Sequence, residues 1–540
     1  MRDTIAILIV VLAIVWSIVS VRVGLQRLQQ SSYRSERYIR RLFGKDTALF
    51  FKDFRHVQLF IALGLSALLL FAADWLLIVT GCTTLLGLGF LLRSTRAVVV
   101  NEKKPFVFTQ RATRLAVSCA VFALLPPLLF LIYCSSTTAA AFSVVWAVLV
   151  PVVLIAANSV NFPLEKQVND YYLRDATRRR RELTDLQVIG ITGSYGKTST
   201  KHFVHALLAR RYISYMTPGS VNTELGLARE IRERLRPIHE FFIAEMGARE
   251  LGDIRACAEV VQPTWGILTC IGKAHLETFG SQEGIMQTKG ELLQSIAPGG
   301  ICFLNADDPH TEGMMKYVKS DVRLFGLHPS STSQSEVDVF ARDIVVTQEG
   351  SSFWVDGRKV SEPFEVKSQL LGRHNISNLI CAISVALEAK VPVAVIQAAV
   401  RTLPPVEHRL QLLKKGNGIL VIDDAFNSNP EGFREALDTL ALFSDRRRVL
   451  VTPGMVELGV EEVRENRSIG KYAAARVDHV VLVGAEKRIA PLRDGLLENG
   501  FLAENIEMVG SLNQARQHLT QFNRPGDVVL FENDLPDIYG

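Results

Sequence analysis

A glycine-rich run near the middle of the chain contains residue types that bind phosphate. Residues 190–200 read GITGSYGKTST; the apolar segment 186–191 predicts a preceding strand, and residues 202–209 predict a following helix. In such a strand–turn–helix, backbone N–H groups point at anionic oxygens, a lysine binds the β- and γ-phosphates, and a Ser or Thr hydroxyl is placed for Mg²⁺. The run therefore predicts a nucleotide-binding loop made by Gly193, Ser194, Gly196, Lys197, Thr198 and Ser199.

One position departs from the common phosphate-loop pattern, G-x-x-x-x-G-K-[ST]. Ile191 stands where that pattern has its first glycine. The remainder of the pattern, with its strand and helix, favours nucleotide binding over a structural turn that carries a lysine by chance.

The composition averages two unlike regions. The 540 residues are 48% hydrophobic with a net charge of +5, but residues 1–160 are mostly apolar, whereas the remainder has an ordinary soluble composition. Basic residues cluster beside the apolar runs and form no single face, which argues against nucleic acid as a partner. The seven cysteines are scattered without a C-x-x-C pair, which argues against a disulfide framework or a zinc site.

Four apolar stretches in the first 160 residues predict five transmembrane helices. Residues 4–23, 115–133 and 139–160 are each long enough to cross a bilayer once. Residues 57–92 are too long for one span and predict a hairpin that turns near Asp74. We interpret Asp74 as a residue of that turn; the alternative is a functional carboxylate inside the membrane.

The distribution of positive charge predicts the orientation of these helices. Residues 22–55 carry nine Lys and Arg against three acids, and residues 93–114 carry six against one, so both segments are expected in the cytoplasm. The turns near Asp74 and at residues 135–138 carry neither Lys nor Arg and are expected outside. Five spans with the N-terminus outside satisfy every loop. They predict a multi-pass protein of the cytoplasmic membrane, with residues 161–540 in the cytoplasm.

The rest of the chain predicts a short linker and two α/β domains. Residues 161–185 are basic, and they predict a helix on anionic lipid headgroups or, alternatively, a solvated linker. Residues 186–405 alternate apolar strands with helical patterns, which indicates a mostly parallel sheet, and they include a small β insert at about 337–371. Pro404-Pro405 marks a boundary, and residues 406–540 predict a second, Rossmann-like unit. The strands are predicted at residues 188–192, 241–246, 265–270, 301–305, 419–423, 448–452, 479–483 and 527–531.

Nine further segments beyond the phosphate loop form an ordered set of motifs. They are TPGSVNTELG (217–226), AEMG (244–247), AHLETFGS (274–281), KGE (289–291), LNADDP (304–309), GRHNISN (372–378), EHR (407–409), DDAFNSNP (423–430) and GMVELG (454–459). With the phosphate loop they resemble the Mur ligase family over roughly residues 186–535. The most similar branch adds D-alanyl-D-alanine to a UDP-muramoyl tripeptide. The resemblance implies a P-loop central domain, ATP and Mg²⁺ as cofactors, and amide-bond formation in the synthesis of a cell-wall or envelope precursor.

The resemblance also implies a mechanism and its residues. ATP phosphorylates a substrate carboxylate, an amine attacks the acyl phosphate, and two Mg²⁺ neutralise charge on the moving phosphoryl group. Thr198 and Glu245 are expected to hold the first Mg²⁺, and His275 to help hold the second. Lys289 resembles a lysine that family members carbamylate with CO₂, which would give a metal anionic oxygens instead of an ammonium. The catalytic residues implied are Lys197, His275 and Lys289.

Three further residues resemble groups that contact the nucleotide. Asn375 resembles the reader of the adenine, and Arg409 and Asp424 resemble groups that reach the nucleotide when two domains close. Each assignment has a plainer alternative. Asn375 could cap the helix that starts beside it, and Glu245, His275 and Lys289 could be ordinary surface or packing residues.

Two parts of the chain differ from the family. Nothing before residue 186 resembles the domain that binds the UDP end of the substrate in soluble members. The run FENDLPD at 531–537 stands where the branch tends to carry a basic Lys-Gly-Ser motif, and its acids suit a cationic or amine-rich partner or no partner. We therefore hypothesise that the acceptor is held at the membrane, as a lipid-linked or polymeric envelope precursor.

Other functions are compatible with parts of the pattern. A ligase for a capsule such as poly-γ-glutamate also resembles Mur ligases. A non-catalytic, ATP-binding membrane scaffold is a different class, but it has no need of Lys197, Glu245, His275 and Lys289 together. An ATP-driven transporter would need polar residues in its spans, which are almost absent. The expected partners are thus ATP, an envelope precursor or amino acid, and membrane lipids.

Overall fold

The computed structural model of the chain describes residues 2–31, 33–43, 106–272, 279–327, 336–414, 418–426, 428–456 and 458–533. These residues divide into two units, Met1–Asp170 and Tyr171–Gly540. The predicted hairpin at 57–92 and the predicted ligand His275 lie outside the described residues.

The described residues of the first unit form helices. Its helices are α1 (Arg2–Gln30), α2 (Ser35–Phe43), α3 (Gln110–Tyr133), α4 (Ser136–Val148) and α5 (Val150–Glu182), the last of which continues into the second unit. Among the described residues, α1 and α3 are long and apolar enough to cross a membrane; α4 and α5, bent by 72°, make a third span if the pair counts as one. The span predicted at 139–160 is therefore broken. The break lies just before Pro151, which has no N–H for a continuous helix.

Small residues bring α1 and α4 together. Ala6 and Ala13 of α1 are buried in one apolar cluster with Ala139, Ala140 and Ala147 of α4. Small side chains let helix backbones approach closely, a common device in membrane helix pairs. The opposite faces of α1 and α3 expose large apolar side chains, among them Leu8, Val11, Ile18, Val117, Val121 and Ile132.

The central domain is built on a nine-stranded sheet in the described residues. Its strands are β1 (Gln187–Thr192), β2 (Ser214–Met216), β3 (Phe241–Glu245), β4 (Trp265–Leu268), β5 (Ile301–Asn305), β6 (Asp321–Gly326), β7 (Val339–Thr347), β8 (Gly350–Asp356) and β9 (Phe364–Ser368). The order is β2-β3-β1-β4-β5-β6-β7-β8-β9, parallel as far as β7 and antiparallel beyond. The predicted β insert thus continues the main sheet as three strands.

Helices cover both faces of this sheet. They are α6 (Lys197–Leu208), α7 (Glu224–Glu233), α8 (Asp253–Val261), α9 (Gln282–Ser295), α10 (Thr311–Met314), α11 (Arg373–Glu388) and α12 (Val393–Arg401), with a 3-10 turn at Met315–Tyr317. In β1, Ile189 and Ile191 belong to one apolar core while Val188 belongs to another. Burial on both faces explains why the strand reads as a continuous apolar run.

The C-terminal domain has a six-stranded sheet in the described residues. Its strands are β10 (Gln411–Lys414), β11 (Leu420–Asp424), β12 (Arg448–Thr452), β13 (His479–Val483), β14 (Ile506–Val509) and β15 (Val528–Glu532), in the order β10-β11-β15-β12-β13-β14. Only β10 is antiparallel to its neighbour. The helices are α13 (Pro430–Ala441), α14 (Glu462–Ala473), α15 (Glu486–Glu498) and α16 (Leu512–Phe522), with 3-10 turns at Gly459–Glu461 and Ala503–Asn505. All eight predicted strands are confirmed; three match the predicted bounds, and the other five differ by one or two residues at their ends.

The predicted basic linker is part of α5 and is attached to the central domain. Arg180 is 7% exposed, and its guanidinium donates to the carbonyl oxygens of Val261 and Leu183, both at 3.1 Å. Asp175 accepts from Arg232 of α7 at 2.7 Å. Arg180 is therefore neither on lipid headgroups nor in solvent, and the prediction is wrong for this residue because its charge satisfies backbone carbonyls beside β4.

Candidate active site

The predicted phosphate loop lies between β1 and α6, at the carboxyl edge of the central sheet. Gly196 has a φ of +76°, and a Cβ there would lie 2.5 Å from Asn378 Oδ1. A Cβ at Gly193 would lie 1.9 Å from Thr269 Oγ1. Glycine is therefore required at both positions, by close approach to neighbouring side chains and by backbone conformation. The loop N–H groups consequently stand at the start of a helix, where anions bind.

The side chains of Lys197 and Ser194 make hydrogen bonds in and beside this loop. Lys197 Nζ donates to the carbonyl oxygens of Gly193 and Ser194 at 2.6 and 3.2 Å, and burial lowers the pKa of the ammonium. Ser194 Oγ donates to Gly272 O at 3.1 Å and accepts from Gly272 N at 2.9 Å. Ser199 is 6% exposed. Lys197 thus lies over the loop, where a phosphate charge would sit, while Ser194 holds the loop to the segment after β4.

Thr198 and Glu245 meet at the expected Mg²⁺ position. Thr198 Oγ1 donates to Glu245 Oε2 at 3.0 Å, and Glu245 is 1% exposed. Asn222 Nδ2 donates to Glu245 Oε1 at 3.0 Å, and Lys201 Nζ lies 3.1 Å from Oε2. Burial raises the pKa of this carboxyl, but Lys201 and Lys197 more than offset it, so the pKa is lowered. The result is a buried carboxylate beside a hydroxyl, a pair of hard oxygen donors that suits Mg²⁺.

Lys289 is a buried lysine on α9. It is 3% exposed, and burial lowers its pKa to about 7, with the charge of Lys197 acting in the same direction. Among the described residues no carboxylate raises its pKa. An amine with this pKa is about half neutral at pH 7, and the neutral form is nucleophilic. In the described part of the chain no group of three or more His, Cys, Asp and Glu side chains forms a metal cluster.

The C-terminal domain contributes Arg409 to the same region. Its neighbours His408 and Leu410 have φ of +58° and +47°, a conformation that costs energy for such residues. The Arg409 guanidinium lies 4.2 Å from the ring centroid of Phe426. Burial lowers its pKa, whereas Asp424, Glu245 and Glu532 raise it. Since Glu245 belongs to β3, Arg409 acts electrostatically across the two domains, close to the phosphate loop.

Asp424 and Glu532 form a buried carboxyl pair at the ends of neighbouring parallel strands. Burial raises the pKa of both carboxyl groups, and the charge of Asp424 raises that of Glu532 further. Asp424 Oδ1 also accepts from Leu410 N at 3.1 Å, and Glu532 Oε1 accepts from Ser428 Oγ at 2.6 Å. Glu532 is 1% exposed, so of the two predicted alternatives this acid fits the absence of a partner better than display to a cationic one; residues 534–537 lie outside the described residues.

The two asparagines of the GRHNISN motif, Asn375 and Asn378, make different contacts. Asn375 is 2% exposed, and its Nδ2 donates to Leu371 O at 2.9 Å; it does not cap α11, whose N-cap position is Gly372. Asn378 Oδ1 accepts from Thr200 Oγ1 at 3.1 Å and lies under Gly196. The structure therefore places Asn378, not Asn375, against the phosphate loop.

Three residues of this site escaped sequence analysis as individual candidates: Lys201, Asn222 and Asn378. Lys201 follows Lys197 by four residues on α6, so the two share a helix face. The asparagines lie within matched motifs but carried no assigned role. The spacing of the motifs was the signal that could have pointed to these residues. It does not reveal that Lys201 is buried against β3.

The residues present suit the binding of Mg²⁺ and a nucleoside triphosphate. The glycines leave space where a Cβ would collide, a lysine and an arginine provide positive charge, and a hydroxyl beside a buried carboxylate provides metal ligands. Such an arrangement at the carboxyl edge of a parallel sheet defines an enzyme that transfers phosphoryl groups from a nucleotide.

Comparison with known proteins identifies the family. Residues 191–386 match the Mur ligase middle domain, and residues 408–532 match the Mur ligase, glutamate ligase domain. The UDP-N-acetylmuramoyl-tripeptide–D-alanyl-D-alanine ligase of Mycobacterium bovis is 36% identical over 363 residues, which cover 64% of this chain and 70% of that protein. The Escherichia coli enzyme of the same name is 29% identical, over 59% of this chain and 69% of that protein.

Solved structures agree with these matches. MurF from Acinetobacter baumannii superposes with a TM-score of 0.60 at 27% identity, over 68% of this chain and 77% of that one. MurF ligase from Thermotoga maritima in complex with ADP gives a TM-score of 0.59 at 25% identity, over 68% and 80%. The chain belongs to the Mur ligase family, whose members are ATP-dependent enzymes that form amide bonds.

Proposed function

We propose that this protein is a membrane-anchored Mur ligase that joins an amine to a carboxylate of a peptidoglycan precursor. The observation that carries the proposal is the meeting of Thr198 with Glu245 beside Lys197, in a chain 36% identical to a D-alanyl-D-alanine-adding ligase. ATP supplies the phosphoryl group that activates the carboxylate. Thr198 and Glu245 would hold Mg²⁺, and Lys197 and Arg409 would balance the charge of the phosphates.

We further propose that Lys289 is carbamylated and contributes a metal ligand with His275. Its low exposure and lowered pKa favour the neutral amine that reacts with CO₂. Carbamylation would convert a buried amine into an anion beside Lys197, whose positive charge stabilises it. A second Mg²⁺ would then have oxygen ligands in place of an ammonium that repels it.

Membrane insertion is supported by the faces of the N-terminal helices. Leu8 and Val11 of α1, and Val117 and Val121 of α3, are among the large apolar side chains exposed on these helices. Lipid removes the cost of exposing such side chains to water. The cytoplasmic membrane, with the ligase domains inside, is the proposed location.

Cys134 offers a native probe of this orientation. It is exposed at the end of α3, next to the turn predicted to lie outside. A membrane-impermeant maleimide should label it in intact cells, and Cys134→Ser should remove that label. Labelling only after cell lysis would contradict an external turn and, with it, the proposed arrangement.

We propose that the acceptor is presented at the membrane, because the mostly apolar residues 1–160 precede the matched Mur ligase domains, the first of which begins at residue 191. The test is ADP release by the detergent-solubilised protein with ATP and D-alanyl-D-alanine. Two acceptors are compared, UDP-muramoyl tripeptide and a lipid-linked precursor that carries the same peptide. Ligation of the lipid-linked precursor alone is expected. Robust ligation of the UDP-linked acceptor would overturn membrane presentation but keep the ligase assignment, and no ADP release with either would count against both.

A capsule-type ligase and a scaffold are not favoured. The named relatives are D-alanyl-D-alanine-adding ligases, and a scaffold has no use for a buried metal-binding carboxylate.

A further inference from the structure

Lys201 is a fully buried lysine that joins three parts of the active site. Its side chain is 0% exposed, and its Nζ lies 3.1 Å from Glu245 Oε2. The same ammonium donates to Gly219 O, in the loop that follows β2. Because α6 carries both Lys201 and Thr198, one helix contacts this loop and the metal-binding carboxylate together. Burying an ammonium is costly, and the carboxylate and carbonyl offset that cost.

The loop at residues 217–223 is held firmly at its two ends. Thr217 N donates to Ile243 O at 3.0 Å, and Thr217 Oγ1 accepts from Glu245 N at 3.2 Å. At the other end, Asn222 O accepts from Gly247 N at 2.8 Å, while Asn222 Nδ2 donates to Glu245. Both ends are therefore fixed to β3 and to the turn that follows it.

The middle of the loop depends on Lys201. Residues 218–220 are exposed, and Gly219 has a φ of +49° with open space where a Cβ would lie. Val221 N donates to Pro218 O at 3.1 Å, a hydrogen bond inside the turn. Within the described ranges, the Lys201 ammonium supplies the hydrogen bond that ties this turn to the body of the domain.

The 217–223 loop follows β2 and is hydrogen bonded to β3 and to the turn after it. The phosphate loop instead meets Asn378 of α11 at Gly196 and Thr269, after β4, at Gly193. A nucleotide held by the phosphate loop and Arg409 would therefore leave the exposed turn at 218–220 available to the second substrate. A carboxylate must approach the γ-phosphorus from a defined direction for phosphoryl transfer.

We propose that Lys201 is a positioning residue that holds the exposed turn at 218–220 against Glu245. The turn would then place the carboxylate of the substrate where it can attack the γ-phosphate. This inference rests on the proposed function, because it takes the substrate to be a carboxylate. Lys201 itself touches neither substrate nor nucleotide in this arrangement; it acts through Gly219 O and Glu245.

The test replaces Lys201 by methionine, which keeps the length of the side chain but removes the ammonium. Lys316→Met is the matched control, because Lys316 is exposed and pairs with Glu283 at 3.0 Å on the surface. Hydrogen exchange of the ligand-free protein should be about tenfold faster at Val221 in Lys201→Met and unchanged in the control. This readout needs no catalytic activity.

Steady-state kinetics provide the second readout, with the acceptor that the wild-type protein ligates, UDP-muramoyl tripeptide or its lipid-linked counterpart. The KM for this acceptor should rise about tenfold in Lys201→Met, while the KM for ATP stays within about twofold. Lys201→Arg keeps the charge and should restore part of the loss. If Lys201→Met fails to fold, Lys201→Arg and Lys201→Gln should also raise the KM for the acceptor more than the KM for ATP, by a smaller factor.

Unchanged exchange at Val221 in a folded variant would overturn the proposal. So would equal increases in the two KM values, since a general loss of order would affect both substrates alike. If the wild-type protein ligates no acceptor, the proposed function fails, but the exchange experiment still decides whether Lys201 holds the turn.

Discussion

Replacing Lys289 by methionine removes an amine whose reactivity follows from its burial. With a pKa of about 7, half of the Lys289 side chains are neutral at pH 7. An ordinary lysine is neutral in about one molecule in 3,000 at that pH. Because CO₂ combines with the neutral amine, Lys289 should be carbamylated roughly a thousandfold more readily than a surface lysine at equal CO₂.

The assay is carbon-13 NMR of the protein equilibrated with labelled bicarbonate. A carbamate signal is expected in the wild type and in Lys316→Met, and not in Lys289→Met. Ligation by Lys289→Met should fall at least about a hundredfold, as expected when a metal ligand is lost. Nucleotide binding should change little, because Lys197 and the loop glycines remain. The absence of a carbamate in the wild type, or an amine that titrates above pH 9, would refute the reasoning.

The same pKa predicts how stability depends on pH. The folded-state pKa of about 7 lies below the ordinary value of 10.5, so the unfolded state binds more protons between these limits. The free energy of unfolding should therefore rise with pH from about 7 to about 10, and the penalty is fully present below pH 7. In CO₂-free buffer, the Tm of the wild type relative to Lys289→Met should increase from pH 7 to pH 9. A constant difference would contradict the lowered pKa.

Three further substitutions test other parts of the structure. Thr198→Val removes the hydroxyl that lies 3.0 Å from Glu245, so the kcat of ADP release should fall about a hundredfold and stay low in a Mg²⁺ titration. Full activity at high Mg²⁺ would exclude the Thr198 hydroxyl as a Mg²⁺ ligand. Gly196→Ala places a methyl group 2.5 Å from Asn378 Oδ1 at a φ of +76°, so nucleotide affinity should fall about tenfold or more in a binding titration. Asp175→Asn weakens the ion pairs of this carboxylate with Arg178, Arg179 and Arg232, so the Tm should fall by roughly 3 °C. An unchanged Tm would show that these ion pairs add nothing to stability.

Much of the fold could be predicted because its strands are buried on both faces. Strands such as β1 and β13 read as unbroken apolar runs between turn residues, and their boundaries followed from that pattern. The short strands β2, β10 and β14 lack such runs, because their residues are only partly buried. They were missed for that reason, and β6 was missed because its first four residues are also partly exposed.

The site was partly predictable for a different reason. Thr198 and Glu245 stand at fixed places in ordered motifs that follow strands, and the carboxyl ends of parallel strands meet at one edge of a sheet. Lys201 was missed because a lysine on a helix is ordinarily solvated, and nothing local to α6 reveals that β3 covers it. The assignment of Asn375 to the adenine stays a prediction; in the structure its amide Nδ2 donates to Leu371 O, just before α11.

By itself the sequence determined the chemistry available to this protein: a glycine loop for phosphate, hard oxygen ligands for Mg²⁺, an apolar N-terminal region and two α/β domains. These properties depend on residue type and on spacing along the chain, which local physics can interpret. Only the tertiary structure decided which polar groups are buried together. It brought Lys201, Asn222 and Thr198 to one carboxylate, lowered the pKa of Lys289, and enclosed Glu532 beside Asp424. Burial and long-range charge depend on residues that are distant in sequence, so no local pattern contains them.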